Sequence, residues 1–261
     1  MAAVVDNLTK LSNEFNIPTF AGELVDMLRQ CRAVIAGGFI LGSITNRLSK
    51  SSDIDIYVGI ERHRPLLDLL IKYGRINEIN VATPYDTSFF SRNGIFTRFS
   101  FSIIKNTIWD GPSTFDEICD ENCNSFDIDL MVLKEDREVV DCVSNFDFTF
   151  CQVWFDGEKV NGTHMEDTLA FKGSLNPEYL STFLSNNKYT IARYTKYLLR
   201  GYQIDLNIPA GYKLTFKENE LISPDRIIIH IGGHHPTNFS GNIIPIIKPT
   251  SVNAIISMII N

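Results

Sequence analysis

Asp53 and Asp55 are the residues whose type and spacing promise chemistry. They open the segment Asp53-Ile-Asp-Ile-Tyr-Val58, whose period-two alternation predicts a strand. Residues two apart on a strand project from one face, so both carboxylates point together while Ile54 and Ile56 turn to the buried side. Like charges on one face repel unless a cation bridges them, and hard oxygen ligands of this kind suit Mg²⁺ or Mn²⁺. Two such ions can activate an attacking hydroxyl and neutralise a leaving pyrophosphate in an in-line displacement. Gly37-Gly38 offers the complementary half, closing a short apolar run from Ala33 to Ala36. A turn without Cβ atoms lets backbone N–H groups approach phosphate oxygens, and a helix starting at Phe39 adds its positive end. Ser43 and Arg47 stand about one and two turns along that helix, where they either reach a bound phosphate or serve surface and capping roles, the latter the more common use of such positions.

Positioning these residues requires particular elements. Apolar spacing predicts helices over 22–31, 39–48 and 64–73, and β-branched and aromatic runs predict strands over 95–104, 126–133 and 146–155. A short helix over 137–144 falls between the last two strands. Phe155-Asp-Gly157 signals a turn, with the strand doubling back through Lys159 and Val160. Further helices are predicted over 165–172, 177–184 and 188–201, the last presenting Arg193, Lys196 and Arg200 on one face. Beyond Pro209 short apolar runs alternate with Gly, Pro and Asn and no element is assigned. The organisation is an α/β unit over 20–162, a helical segment over 163–207, and a C-terminal extension, 208–261, of irregular character.

Composition limits the alternatives. With 261 residues and 44% hydrophobic content the chain can bury a full core. A net charge of −7 argues against a general basic coat for duplex nucleic acid. The apolar stretch from Ile243 to Ile260 is interrupted by Pro245, Lys248, Pro249 and Asn253, so no membrane span is expected. No basic n-region leads an apolar block at the N-terminus, so the expected location is cytoplasmic. The five cysteines are scattered and read as reduced thiols without disulfide partners. Cys119 and Cys123 lack a second ligand pair for zinc, and His230, His234 and His235 around Gly232-Gly233 read as a solvated turn.

The pair Ile35-Ala-Gly-Gly-Phe-Ile-Leu-Gly42 and Ser52-Asp-Ile-Asp-Ile-Tyr-Val58 resembles the signature of DNA polymerase beta-like nucleotidyltransferases. The double glycine is closest to the head domains of tRNA nucleotidyltransferases and poly(A) polymerases. Ile40-Leu41 stand where the former carry Arg-Asp, which argues against CCA addition. Two further blocks, 146–157 and 193–202, are similar to nucleotidyltransferase-like proteins of large DNA viruses, and the resemblance spans about residues 20–205. It implies a mixed sheet flanked by helices, and a third carboxylate on a neighbouring strand. Asp147 and Asp129 are the candidates for that carboxylate, with Asp147 favoured. It further implies two Mg²⁺ or Mn²⁺ ions on Asp53, Asp55 and Asp147, and a triphosphate tail gripped by Lys196 and Arg200. The implied reaction moves a nucleoside monophosphate from a nucleoside triphosphate to an acceptor, releasing pyrophosphate. An RNA 3′ end, a protein side chain and a small molecule all remain open as acceptors. The rival expectations are a catalytically silent, nucleotidyltransferase-like scaffold, viral in origin, and a nucleotide- or RNA-binding module.

Overall fold

The computed structural model of the chain describes residues 2–48, 52–81, 93–105, 125–135, 137–184, 188–207, 212–218 and 227–233. Its contacts separate into two units, one formed by Met1–Phe146 with Phe150–Leu169, the other by Asp147–Thr149 with Ala170–Asn261. The fold is mixed α/β, as expected.

In the first unit the alternating Ile/Asp segments build the centre of the sheet. Strands β1 (Val34–Ala36), β2 (Ile54–Gly59), β3 (Arg75–Val81), β4 (Ile95–Ile104), β5 (Ser125–Leu133), β6 (Val153–Phe155) and β7 (Val160–Gly162) run in the spatial order β3-β4-β5-β2-β1-β6-β7. Among the described residues of this sheet, only β2 and β5 pair in parallel; its other ladders are antiparallel. Ile54, Ile56 and Val58 of β2 and Phe126, Ile128, Leu130 and Val132 of β5 point to one face and are buried. That face is covered by helices α1 (Ala2–Glu14) and α2 (Phe20–Cys31): the rings of Phe15 and Phe20 lie 4.8 and 6.2 Å from that of Phe126. Helix α4 (His63–Tyr73) packs on α2, burying Leu66, Leu67, Leu69 and Leu70. Each such aliphatic side chain contributes roughly 1.5–3 kcal/mol on burial.

The opposite face of β2 and β5 is treated unevenly along its length. At its far end Tyr57 meets Phe146, ring centroids 5.6 Å apart, just after helix α5 (Val139–Ser144). At its near end stand Asp53, Asp55 and Asp129, exposed to half-buried.

Several expectations differ from the observed elements. Helix α1 had no predicted counterpart, nor did the edge strand β3, whose side chains are mostly exposed. The helix after the glycines, α3 (Gly38–Ile44), stops short of Leu48, where Asn46 takes a left-handed φ of 55°. The predicted strand over 146–155 is interrupted by a 3₁₀ turn at Thr149–Cys151, leaving β6 only three residues. The return strand through Val160 is present as β7, antiparallel to β6.

In the second unit, helix α6 (Met165–Leu169) having closed the first, β8 (Lys172–Ser174) pairs in parallel with β9 (Gln203–Asp205). Between them lie α7 (Leu180–Leu184) and α8 (Lys188–Leu199). The C-terminal region expected to be irregular contains an antiparallel pair, β10 (Tyr212–Glu218) with β11 (Ile227–Gly233). Cys31, Cys142 and Cys151 are buried and outside any disulfide. Trp109, Cys119, Cys123, His234 and His235 lie outside the described residues. Among the described residues no helix is long and apolar enough to cross a membrane.

Candidate functional site

The site follows from strand register. In the antiparallel β1–β2 ladder Ala36 lies opposite Asp55, and in the parallel β2–β5 ladder Asp55 lies opposite Asp129. Asp53, one pleat before Asp55, shares its face. Carboxylate oxygens of Asp53, Asp55 and Asp129 consequently gather within 4.8 Å of one another. Burial, together with the charges of Asp53 and Asp127, raises the Asp129 carboxyl above the ordinary range; a hydrogen bond from Ser100 and the charge of Arg98 oppose that rise.

Gly37 links the glycine turn to this group. It follows β1 directly, with φ 78° and ψ −148°, a conformation that L side chains rarely adopt. A Cβ on Gly37 would stand 2.7 Å from Asp55 Oδ2. The turn therefore presses its backbone against the carboxylate, which only glycine permits. Gly38, the first residue of α3, is under no such demand, since a Cβ there would meet nothing within 4 Å.

An open cleft of about 660 Å³ borders the group, over β3, β4 and β5. Among its lining residues are Asp53, Asn77, Glu78, Arg98, Asp127 and Asp129. Ser100 Oγ donates to Asp129 Oδ1 at 2.6 Å. Ser102 in turn donates to Asp127 at 2.5 Å and accepts from Asn77. Arg98 binds Glu78 at 2.8 Å and stands 3.9 Å from Asp129 Oδ2. None of these β3 and β4 residues was expected from sequence. Two signals were present: Asp127-Ile-Asp-Leu repeats the pattern of Asp53-Ile-Asp-Ile, and Arg98, Ser100 and Ser102 alternate with Phe99, Phe101 and Ile103.

The geometry corrects the choice of third carboxylate. Asp129, and not Asp147, joins Asp53 and Asp55. Asp147 belongs to the second unit, where both of its oxygens are taken by Arg193, Nε to Oδ2 at 2.6 Å and Nη2 to Oδ1 at 2.9 Å. Its side chain is 6% exposed, and a buried carboxylate held by a bidentate guanidinium is satisfied as a structural ion pair. Ser43 is corrected as well: it is buried and accepts a hydrogen bond from Asn7 of α1 at 3.1 Å, so its hydroxyl serves the α1–α3 contact. Lys196 lies on α8 of the second unit and is exposed; Arg200 follows the helix in the turn just past Leu199, its guanidinium 5.7 Å from the Tyr197 ring centroid, with Arg193 at 5.8 Å.

No curated protein matches the sequence. Residues 6–171, more than half of the chain and including every residue of the carboxylate group, match the family model described as Gabija anti-defense 2 family protein. The chain therefore belongs to the Gabija anti-defense 2 family.

Proposed function

We propose that this protein is a metal-dependent nucleotidyltransferase that moves a nucleoside monophosphate from a nucleoside triphosphate to an acceptor. The observation that carries the reading is the carboxylate group on adjoining strands β2 and β5 with the Gly37 turn packed against Asp55. This is the arrangement that the resemblance to polymerase beta-like enzymes implies, with Asp129 in the role first given to Asp147. The donor set suits a hard divalent ion: carboxylate oxygens of three residues converge within 4.8 Å of one another. Asp53, Asp55 and Asp129 would hold Mg²⁺ or Mn²⁺. Bound there, such ions would polarise the transferring phosphoryl group and neutralise the leaving pyrophosphate.

The chain's own residues have distinct tasks in this reading. Asp129, as the third carboxylate of the group, would hold the ion beside the acceptor and help to deprotonate the acceptor hydroxyl. The Gly37-Gly38 backbone presents N–H groups to the triphosphate without side chains in the way. The family's name supports a role against the defence called Gabija, which suits a viral product working in the host cytoplasm. In that role the transferase would modify a component that the defence needs. The acceptor class decides what that component is: RNA, protein or small molecule. The test is incubation of the protein with each α-labelled nucleoside triphosphate, Mg²⁺ or Mn²⁺, and infected or uninfected host extract. Label transfer to a defined species supports the reading; absence of transfer and of pyrophosphate release with all four nucleotides rejects it.

A further inference from the structure

The carboxylate group does not end at β5. Register continues the row outward: Asp129 lies opposite Ser100 of β4, and Ser100 lies opposite Glu78 of β3. Arg98, one pleat from Ser100, shares that face. The two oxygens of Asp129 therefore meet different neighbours. Oδ1 accepts the Ser100 hydroxyl at 2.6 Å. Oδ2 faces the Arg98 guanidinium at 3.9 Å, a separation too long for a hydrogen bond, while the other end of that guanidinium is bonded to Glu78 at 2.8 Å.

We propose that Ser100 and Arg98 are positioning residues with opposite effects on the metal, Ser100 aiming the Asp129 carboxylate and Arg98 serving as a built-in counter-charge that Glu78 holds back. This rests on the metal-dependent reading of the Asp53, Asp55 and Asp129 group. Three converging carboxylates need positive charge to persist before an ion arrives, and a guanidinium near Asp129 supplies it through space. The same guanidinium bonded directly to Asp129 would occupy the oxygen that the ion needs, as it occupies Asp147 in the second unit. Glu78 prevents that collapse by drawing the Arg98 terminus outward across β3. Ser100 fixes the carboxylate by a neutral hydrogen bond, which sets its rotamer without competing for charge. Hydrogen-bonded partners of metal ligands typically change affinity by about 10–100-fold when removed.

The test is Mn²⁺ binding to the full chain, without nucleotide, read from the electron paramagnetic resonance signal of the free ion. Ser100→Ala should weaken Mn²⁺ binding by about 10–100-fold, and Ser100→Thr should restore it to within a few-fold. Arg98→Gln should act in the opposite direction, tightening binding by about tenfold, since a competing like charge is removed. Glu78→Gln should weaken it, and adding Arg98→Gln to that variant should cancel the loss. Loss of packing alone would weaken binding in every variant; so if Ser100→Ala and Arg98→Gln shift in the same direction, or neither shifts, the proposal is overturned. Failure of the unaltered chain to bind Mn²⁺ at all would overturn the underlying metal reading, and this inference with it. Normal Mn²⁺ binding without nucleotide transfer would leave the inference standing and remove the catalytic reading alone.

Discussion

Gly37→Ala isolates the contact that joins the glycine turn to the carboxylate group. The substitution carries two costs. The backbone at φ 78° and ψ −148° lies in a region open in practice to glycine alone, which costs a residue with a Cβ about 1–3 kcal/mol. The new methyl would stand 2.7 Å from Asp55 Oδ2, against about 3.3–3.6 Å for a comfortable carbon–oxygen contact. Asp55 must therefore retreat by roughly 0.6–0.9 Å, several times the ~0.2 Å tolerance of a metal–ligand distance. Urea unfolding in EDTA should show the backbone cost, and Mn²⁺ titration should show a loss of about a hundredfold, near 2.8 kcal/mol. Gly38→Ala is the control. Its Cβ meets nothing within 4 Å, so stability and Mn²⁺ binding should stay as they were. Mn²⁺ binding by Gly37→Ala within twofold of the original would refute the reasoning, because Asp55 would then not be a ligand confined by the turn.

Two further outcomes follow from the same geometry. The Asp129 carboxyl is raised by burial first and then by Asp53 and Asp127; its contribution to stability in EDTA is present below the ordinary carboxylate value, about pH 3.9, and is lost as pH rises through the folded value. Asp129→Asn should flatten that slope in urea midpoints measured across pH, and an unchanged slope would contradict it. In the second unit, Arg193→Ala should destabilise by about 3–5 kcal/mol by stranding a buried charge, whereas Asp147→Asn, which leaves Arg193 42% exposed to water, should cost only about 1–2 kcal/mol; denaturation midpoints in the reverse order would be inconsistent with this.

The parts of the site written in short-range pattern were legible before any coordinates. Period-two alternation placed Asp53 and Asp55 together, and the apolar run into Gly37-Gly38 marked a strand that stops at a turn. The third carboxylate was not legible, because strand adjacency is a long-range property. Strand β5 joins β2 in parallel only after α4, β3 and β4 have intervened. Asp147 sits in an equally plausible alternation, and its actual partner, Arg193, is 46 residues away. Ser43 was not legible for a related reason: the residue that occupies its hydroxyl, Asn7 of α1, lies 36 positions away, although Val4, Leu8, Leu11 and Phe15 did carry the helical spacing of α1.

The most direct test of the central claim is pyrophosphate release and label transfer from α-labelled nucleoside triphosphates, measured side by side for the unaltered protein and for Asp53→Asn combined with Asp55→Asn. Both variants are isosteric and remove repulsion between converging charges, so the fold should persist, and a matching circular dichroism spectrum checks this. The account predicts Mg²⁺- or Mn²⁺-dependent transfer with at least one nucleotide, reduced to background in the double variant. Transfer that survives the double substitution, or none by the unaltered protein with any of the four nucleotides in host extract, would contradict it.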